Sequence, residues 1–160
     1  MAVTQQQATQ LSNTDLAPQV ANPTTDMTGK LRIARFDFTQ SGAGDAGSLA
    51  EIAKLPPGKV RIILPLSRIA FSAFGLARTM DLGWLAYTDL AGDAVAADPN
   101  GLDDGVAVDI AGSVNPGGTV GGDETYLFTS TDGVTITAQV NDGTIPDAGT
   151  LNGYLLYVLD

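Results

Sequence analysis

The apolar residues of this chain fall into short runs separated by turn-forming residues, and this spacing constrains the fold more than any other feature of the sequence. From Lys30 onward, runs rich in Val, Ile, Leu, Phe and Tyr alternate with segments of Gly, Pro, Asn and Asp. Apolar residues do not recur at helical spacing over several turns. About eight such runs predict a mostly β fold, an antiparallel β-sandwich that is jelly-roll-like, with helix limited to a turn or two.

The length and composition of each run assign it to a strand or a loop. Hairpin-type turns at residues 132–133 and 141–143 bracket an alternating strand. Residues 48–51 (SLAE) have the spacing of a helical capping box, but two prolines directly after residue 55 favour a strand or a short turn over residues 49–55. Residues 60–66 suit a strand buried on both faces, with Pro65 at a bend or strand end. The predicted strands span residues 31–38, 49–55, 60–66, 69–75, 82–87, 106–110, 125–129, 134–140 and 151–159, and the predicted loops span residues 41–47, 89–105 and 115–122.

Residues 1–28 differ from the rest of the chain. They contain no aromatic residue and are rich in Gln, Thr, Ala and Asn, with prolines at Pro18 and Pro23. A segment of this composition buries too little apolar surface to offset the cost of ordering it. We therefore predict an extended polar N-terminal arm over residues 1–28, which lies on a neighbouring subunit, and a β-sandwich domain over residues 29–160. The alternative is a tail that packs on its own domain.

The charges are unevenly distributed along the chain. The formal net charge is -10, yet all eight Lys and Arg lie between Lys30 and Arg78, and thirteen of the eighteen acids lie beyond Arg78. An acidic surface without bases repels nucleic acid, so we expect no direct nucleic-acid partner. A basic middle and an acidic end allow neighbouring copies, or a different partner, to pair across this asymmetry. Ordinary acidic surface chemistry explains the same distribution.

The chain contains no histidine and no cysteine. Ser-His and Cys-His nucleophilic schemes, disulfides, and zinc sites built from His or Cys are therefore excluded. We expect a protein that is not an enzyme, with no catalytic, cofactor-binding or metal-binding residues and no cofactor. No apolar run is long enough to span a membrane, and the first residues lack the features of a secretory signal, so we expect no membrane partner.

Three sequence patterns are nevertheless candidates for chemistry. Residues 98–104 (DPNGLDD) offer oxygen ligands of the kind calcium accepts, although their spacing differs from that of an EF-hand loop. The acidic pairs Asp103-Asp104 and Asp123-Glu124 offer an acid and a base for glycoside cleavage, but adjacent residues on a strand point to opposite faces. Residues 42–47 (GAGDAG) look like a phosphate-binding loop but lack its lysine and its helix. Ordinary turn formation explains the first pattern and a flexible loop explains the third, and the chain is poor in the aromatic residues that usually line sugar sites.

Six of the aromatic residues in the predicted strands are weighed as interface anchors, and core packing is the default expectation for each. An aromatic side chain on the outer face of a sheet is instead a candidate interface anchor, because aromatic residues dominate such anchors. The six residues are Phe71, Phe74, Trp84, Tyr87, Tyr154 and Tyr157.

Three segments resemble capsid-associated proteins of tailed bacteriophages: LPPGKVRIILPLSRIAFSAFG, DLGWLAYTD and NDGTIPDAGTLNGYLLYV. The resemblance covers residues 30–160 and is one of style, with a polar arm, a β-sandwich body and a Gly-, Ala- and Asp-rich composition. It implies a capsid decoration (cement) protein, a homo-oligomer with the trimer favoured, bound outside the lattice of the major capsid protein. It also implies localisation in the virion, after assembly in the bacterial host cytoplasm. No site residues carry over from the resemblance.

Two other functional classes stay open from the sequence. One is a head–tail adaptor or tail component of the same kind of particle, which would form rings of six-fold or twelve-fold symmetry. The other is a small β-sandwich ligand-binding module for a sugar or calcium. Saturable glycan binding, or a calcium-dependent shift in melting temperature, would identify that module.

Overall fold

A computed structural model describes residues 30–44, 47–120, 124–143 and 145–160. The predicted arm over residues 1–28 lies outside the described residues. The described residues form one single-turn 3₁₀ helix (Leu64–Leu66) and these strands: β1 (Arg32–Thr39), β2 (Leu49–Leu55), β3 (Gly58–Ile63), β4 (Arg68–Phe71), β5 (Thr79–Trp84), β6 (Tyr87–Thr88), β7 (Ala94–Val95), β8 (Asp98–Ala107), β9 (Gly112–Val114), β10 (Thr125–Ser130), β11 (Val134–Asn141) and β12 (Thr150–Leu159).

Two antiparallel sheets form the body. Sheet 1 has the order β10-β3-β12-β4-β9, and β1 pairs with the other edge of β12, while sheet 2 has the order β2-β11-β5-β8. Because β3 and β4 follow one another along the same edge of β12, they occupy one strand position. The strand order is that of a jelly roll, with β1, β12, β3 together with β4, and β10 in one sheet and β2, β11, β5 and β8 in the other. The predicted fold class is therefore confirmed.

The break between β3 and β4 is held by two polar side chains. Residues 63–67 lie between the parts of β3 and β4 that pair with β12, but only two residues of β12 lie between the positions that pair with β3 and with β4. The chain therefore bulges out of the sheet at this break. The buried Ser67 hydroxyl donates to Ile63 O at 2.9 Å and accepts the Leu156 N–H at 3.0 Å, so it replaces the missing ladder bonds. Asn115 Nδ2 donates to Pro65 O at 3.0 Å and Ser67 O at 2.7 Å. Pro65 thus lies at a bend, as its sequence position predicts.

The core lies between the two sheets and is built by alternation along the strands. In β12, Leu151 and Leu155 are buried on the inward face, while Asn152 and Tyr154 face outward. Phe128 of sheet 1 packs against Trp84 of sheet 2 with ring centroids 5.2 Å apart. These inward rows, apolar on both sheets, supply the hydrophobic free energy that holds the sandwich together.

Several sequence-based assignments need correction. Residues 89–105 are not a long loop, because β7 and most of β8 lie there and β8 pairs with β5. The strand predicted over residues 82–87 begins at Thr79 and ends at Trp84, because β5 follows the register of β11. Residues 106–110 contain only the end of β8, and the short strand β9 follows instead. The alternation over residues 69–75 forms a strand only as far as Phe71. Residues 60–66 are buried on one face only, since Arg61 is half-exposed and the last turn is 3₁₀.

Within the described residues, no helix is long and apolar enough to cross a membrane.

Candidate functional site

The outer face of sheet 1 carries an open groove lined by side chains from three adjacent strands. Alternation along β1 turns Ala34, Phe36 and Phe38 toward the core, so Arg35 and Asp37 face outward. Tyr154 of β12 is paired with Arg35 of β1 on one side and with Arg68 of β4 on the other. Two arginines therefore flank one tyrosine across the middle of the sheet.

The groove has a volume of about 760 Å³, which is within the range of ligand pockets. Its lining residues are Arg35, Phe36, Asp37, Arg68, Ala70, Asn152, Gly153 and Tyr154. Gly153 permits the close approach of β4 to β12, because a Cβ at that position would overlap the backbone oxygen of Arg68. The ion pair found among the described residues joins Arg61 to Asp160 at 3.7 Å. Neither Arg35 nor Arg68 therefore has a carboxylate of a described residue within 4 Å to neutralise its charge. The groove can therefore bind an anionic group.

The aspartate-rich segment 98–104 lies in β8 and not in a turn. Its two neighbouring acids point apart: Asp103 is 7% exposed, whereas Asp104 is exposed. Asp103 accepts backbone N–H groups of Asp104, Gly117 and Gly118, so its carboxylate fastens the 115–120 loop of one edge of the sandwich to β8. No group of three or more acidic residues that could hold a metal ion occurs among the described residues.

Burial makes Asp103 a source of pH dependence. Desolvation raises the pKa of Asp103 above its ordinary value of 3.8, and the three backbone N–H groups only partly oppose this. At a pH between 3.8 and the raised pKa, Asp103 stays protonated in the folded chain but is ionised in the unfolded chain. The protonated carboxyl therefore contributes to the free energy of unfolding in full below pH 3.8, and this contribution is lost as the pH rises through the pKa of the folded state. We expect Asp103→Asn, which cannot titrate, to gain free energy of unfolding relative to the wild type between pH 3 and pH 7, measured by urea denaturation.

The remaining carboxylates titrate in both proteins, so they cancel in this comparison. The control for removal of a carboxylate is Asp109→Asn at an exposed position, because Asp104 is itself one of the charges that raise the pKa of Asp103. The difference between Asp109→Asn and the wild type should change less with pH. A difference between Asp103→Asn and the wild type that is constant, or that has the opposite sign, would contradict a pKa dominated by burial.

The other two sequence candidates are not assembled into sites in the described part of the chain. Asp123 of the pair Asp123-Glu124 lies outside the described residues. In the segment 42–47, Asp45 and Ala46 also lie outside them. The Gly42 N–H donates to Asp147 Oδ1 at 2.7 Å, and the Gly44 N–H donates to Ile145 O at 2.9 Å. These two amides bind the neighbouring loop of the same chain.

The aromatic residues divide between core and surface. Phe71, Phe74 and Trp84 are buried, and Tyr87 and Tyr157 pack partly against the core. Tyr154 is the member of the six that lines the groove, so it is the candidate interface anchor. Burial raises the pKa of the core-packed Tyr87, with further contributions from Tyr126 and Asp89.

Sequence reasoning did not single out Arg35 and Arg68. The alternation in the segment RIARFDF was the available signal, because it separates Arg35 and Asp37 from the apolar residues. The position of Arg68 two strands away follows only from the register of β12 with β1 and β4.

Solved structures with a similar fold include chains of virus particles. A chain in the capsid of Ralstonia phage GP4 aligns with a TM-score of 0.60 at 21% sequence identity, over 88% of this chain and 91% of that chain. A chain in the cyanophage Pam1 capsid asymmetric unit aligns with a TM-score of 0.55 at 14% identity, over 88% of this chain and 93% of that chain. The fold is shared with chains of two bacteriophage capsids.

A more distant likeness leads to an animal virus. The infectious bursal disease virus VP2 subviral particle contains a chain that aligns with a TM-score of 0.51 at 10% identity, over 83% of this chain but 33% of that chain. No profile of a known protein family matches the sequence, and no curated protein matches it. At these identities the likeness to capsid chains establishes the fold alone.

Proposed function

We propose that this chain is a structural protein of a phage virion that binds and reinforces the capsid lattice as a decoration (cement) protein. The observation that carries the proposal is the fold likeness to the GP4 capsid chain, which extends over 88% of this chain and 91% of that chain. A match over nearly the full length of both chains supports a similar overall role more strongly than a shared fragment would. The proposed partners are the major capsid protein and neighbouring virion subunits.

The surface of the body supports a role in contact more than one in chemistry. The groove on sheet 1 joins a half-exposed aromatic ring to two arginines that form no ion pair with any described residue, and aromatic and arginine side chains are the commonest anchors of protein interfaces. The region after Arg78 carries no base, which suits a surface that does not face packaged DNA. A repeated lattice multiplies weak contacts into strong overall binding without any new type of contact.

The segment 1–28 has a specific task in this proposal. An extended polar segment without an apolar core of its own gains order by lying on a partner, and it can wrap a large surface or add a strand to a sheet edge. The arm is therefore proposed to hold the chain on the capsid lattice, while the sandwich forms the rigid body that it anchors.

Deletion of residues 1–28 should leave the body folded and should weaken binding to the capsid by at least about tenfold, because most of the extended contact surface is lost. The measurement is cosedimentation of the purified chain with particles that lack it, followed by imaging of the particles by electron cryomicroscopy. Thermal melting of the truncated chain provides the control for folding.

Two outcomes would count against the proposal. Binding of the truncated chain at the wild-type level would remove the role of the arm. Density for the chain as a single six-fold or twelve-fold ring at one vertex would identify a head–tail adaptor, and density distributed over the lattice would support decoration.

A further inference from the structure

Residues 87–95, called here the acidic hairpin, form a projection that belongs to neither main sheet. Strands β6 and β7 pair only with each other. The tip is internally braced, because Asp89 Oδ1 accepts the N–H groups of Ala91 and Asp93, both at 2.8 Å. The Thr131 N–H donates to Thr88 O at 3.0 Å and fastens the hairpin to the turn between β10 and β11.

The tip of the acidic hairpin presents an apolar and a charged group together. Leu90 is 49% exposed, and Asp93 is exposed. No Lys or Arg follows Arg78 in the sequence, so no basic residue of the hairpin itself balances its negative charge. A braced projection also loses little conformational entropy on binding, which favours its use as a contact.

The groove on sheet 1 offers the complementary chemistry. Arg35 and Arg68 lie on either side of β12, so their backbones are about 10 Å apart at the usual strand spacing. Tyr154 of β12 lies between them in the register, and Ala70 and Gly153 are further lining residues of the groove. Asp37 is the one acid among the lining residues, so the two arginines leave the groove with a positive charge.

The two features lie in different parts of the sandwich. The groove is lined by the first half of β12, where Asn152 and Tyr154 are located. The acidic hairpin follows Trp84, which pairs with Ile136 near the start of β11, and the start of β11 adjoins the end of β10. The end of β10 pairs with the start of β3, and the start of β3 pairs with the end of β12. The hairpin therefore lies toward the end of the sandwich where β12 finishes, and the groove lies toward the end where β12 begins.

We propose that the groove of one copy of this chain binds the acidic hairpin of a second copy, with Asp93 between Arg35 and Arg68 and Leu90 against Tyr154. Because the two surfaces differ, the contact is head to tail, and it yields a closed ring of copies when the rotation closes. This inference goes beyond the proposed function, since it concerns contacts between copies and not contacts with the lattice.

Sedimentation velocity of the full chain at low salt tests the contact. We expect the wild type to associate and to dissociate as salt is raised, because the contact is between exposed charges. The double variant Arg35→Glu with Arg68→Glu, and separately Asp93→Lys, should each weaken association by at least about tenfold. An equimolar mixture of the two variant proteins should associate again. The acidic groove of the glutamate variant then binds the basic hairpin of the lysine variant, and the unchanged groove of the lysine variant binds the unchanged hairpin of the glutamate variant.

Lys54→Glu, on sheet 2, is the matched control that makes the net charge more negative without touching either surface, and it should associate as the wild type does. The inference is overturned by a wild type that is monomeric at about 100 µM, by variants that associate normally, or by a mixture that stays monomeric. Arginine variants that lose only capsid binding would also overturn it, and they would leave the proposed function intact.

Discussion

Replacement of Trp84 by alanine should lower the free energy of unfolding by about 3 to 5 kcal/mol, the usual cost of removing a buried tryptophan side chain. Trp84 is 5% exposed and lies at the centre of an aromatic cluster, with ring centroids 4.9 Å from Tyr126 and 5.2 Å from Phe128. These contacts join β5 of sheet 2 to β10 of sheet 1, so the cavity would open between the two sheets. Urea denaturation monitored by circular dichroism measures the loss.

Trp84→Phe provides the matched comparison. Within the described residues Trp84 Nε1 is buried without a hydrogen-bond partner, so phenylalanine removes an unpaired donor while it keeps an aromatic ring. The expected loss is about 1 to 2 kcal/mol, because the smaller cavity is partly offset by removal of that donor. A small loss for Trp84→Ala, together with lost binding to the capsid, would instead place Trp84 at an interface.

Gly83→Ala should destabilise the fold by about 3 kcal/mol although it adds a single methyl group. A Cβ at Gly83 would lie 1.9 Å from Asp98 O and 2.5 Å from the Pro99 carbonyl carbon. Both atoms are backbone, so relief requires β8 to move away from β5 and not merely a side chain to rotate. The change in denaturation midpoint measures the effect.

Gly112→Ala controls for the general effect of alanine at a strand glycine. Its added Cβ would lie 3.3 Å from the nearest atom, at the ring edge of Phe71, and β9 is short and at the edge of its sheet. The expected change is within about 1 kcal/mol. Equal midpoints for Gly83→Ala and Gly112→Ala would show that β5 and β8 are not in close contact at Gly83.

The parts of the fold that could be predicted are those whose patterns are local. The strand that became β11 alternates apolar and polar residues between two turn signals, and its inward row is buried as expected. The strand β8 could not be predicted, because its Asp, Asn, Gly and Pro residues have the composition of a loop. It is a strand because β5 supplies hydrogen-bond partners and because Leu102 is buried against the core, and both are tertiary effects.

The candidate site was predictable only in part for a related reason. The outward orientation of Arg35 follows from alternation in one strand, and Tyr154 was already a candidate anchor. Their position beside Arg68 depends on β12 lying between β1 and β4, which is a pairing between distant segments. No property of the separate segments encodes that register, so the groove became visible only in the assembled sheet.

The central position of β12 has a consequence for synthesis of the protein. Arg32 near the start of β1 pairs with Tyr157 near the end of β12, so the first strand of the described residues cannot complete its pairing until β12 has left the ribosome. Such long-range pairing is slow and leaves sheet edges open in the meantime, a state in which chaperones and proteases have access to the chain. A nascent chain halted before Thr150 would lack both the middle strand of sheet 1 and the tyrosine of its groove, so a prematurely terminated product could complete neither the sandwich nor its binding surface.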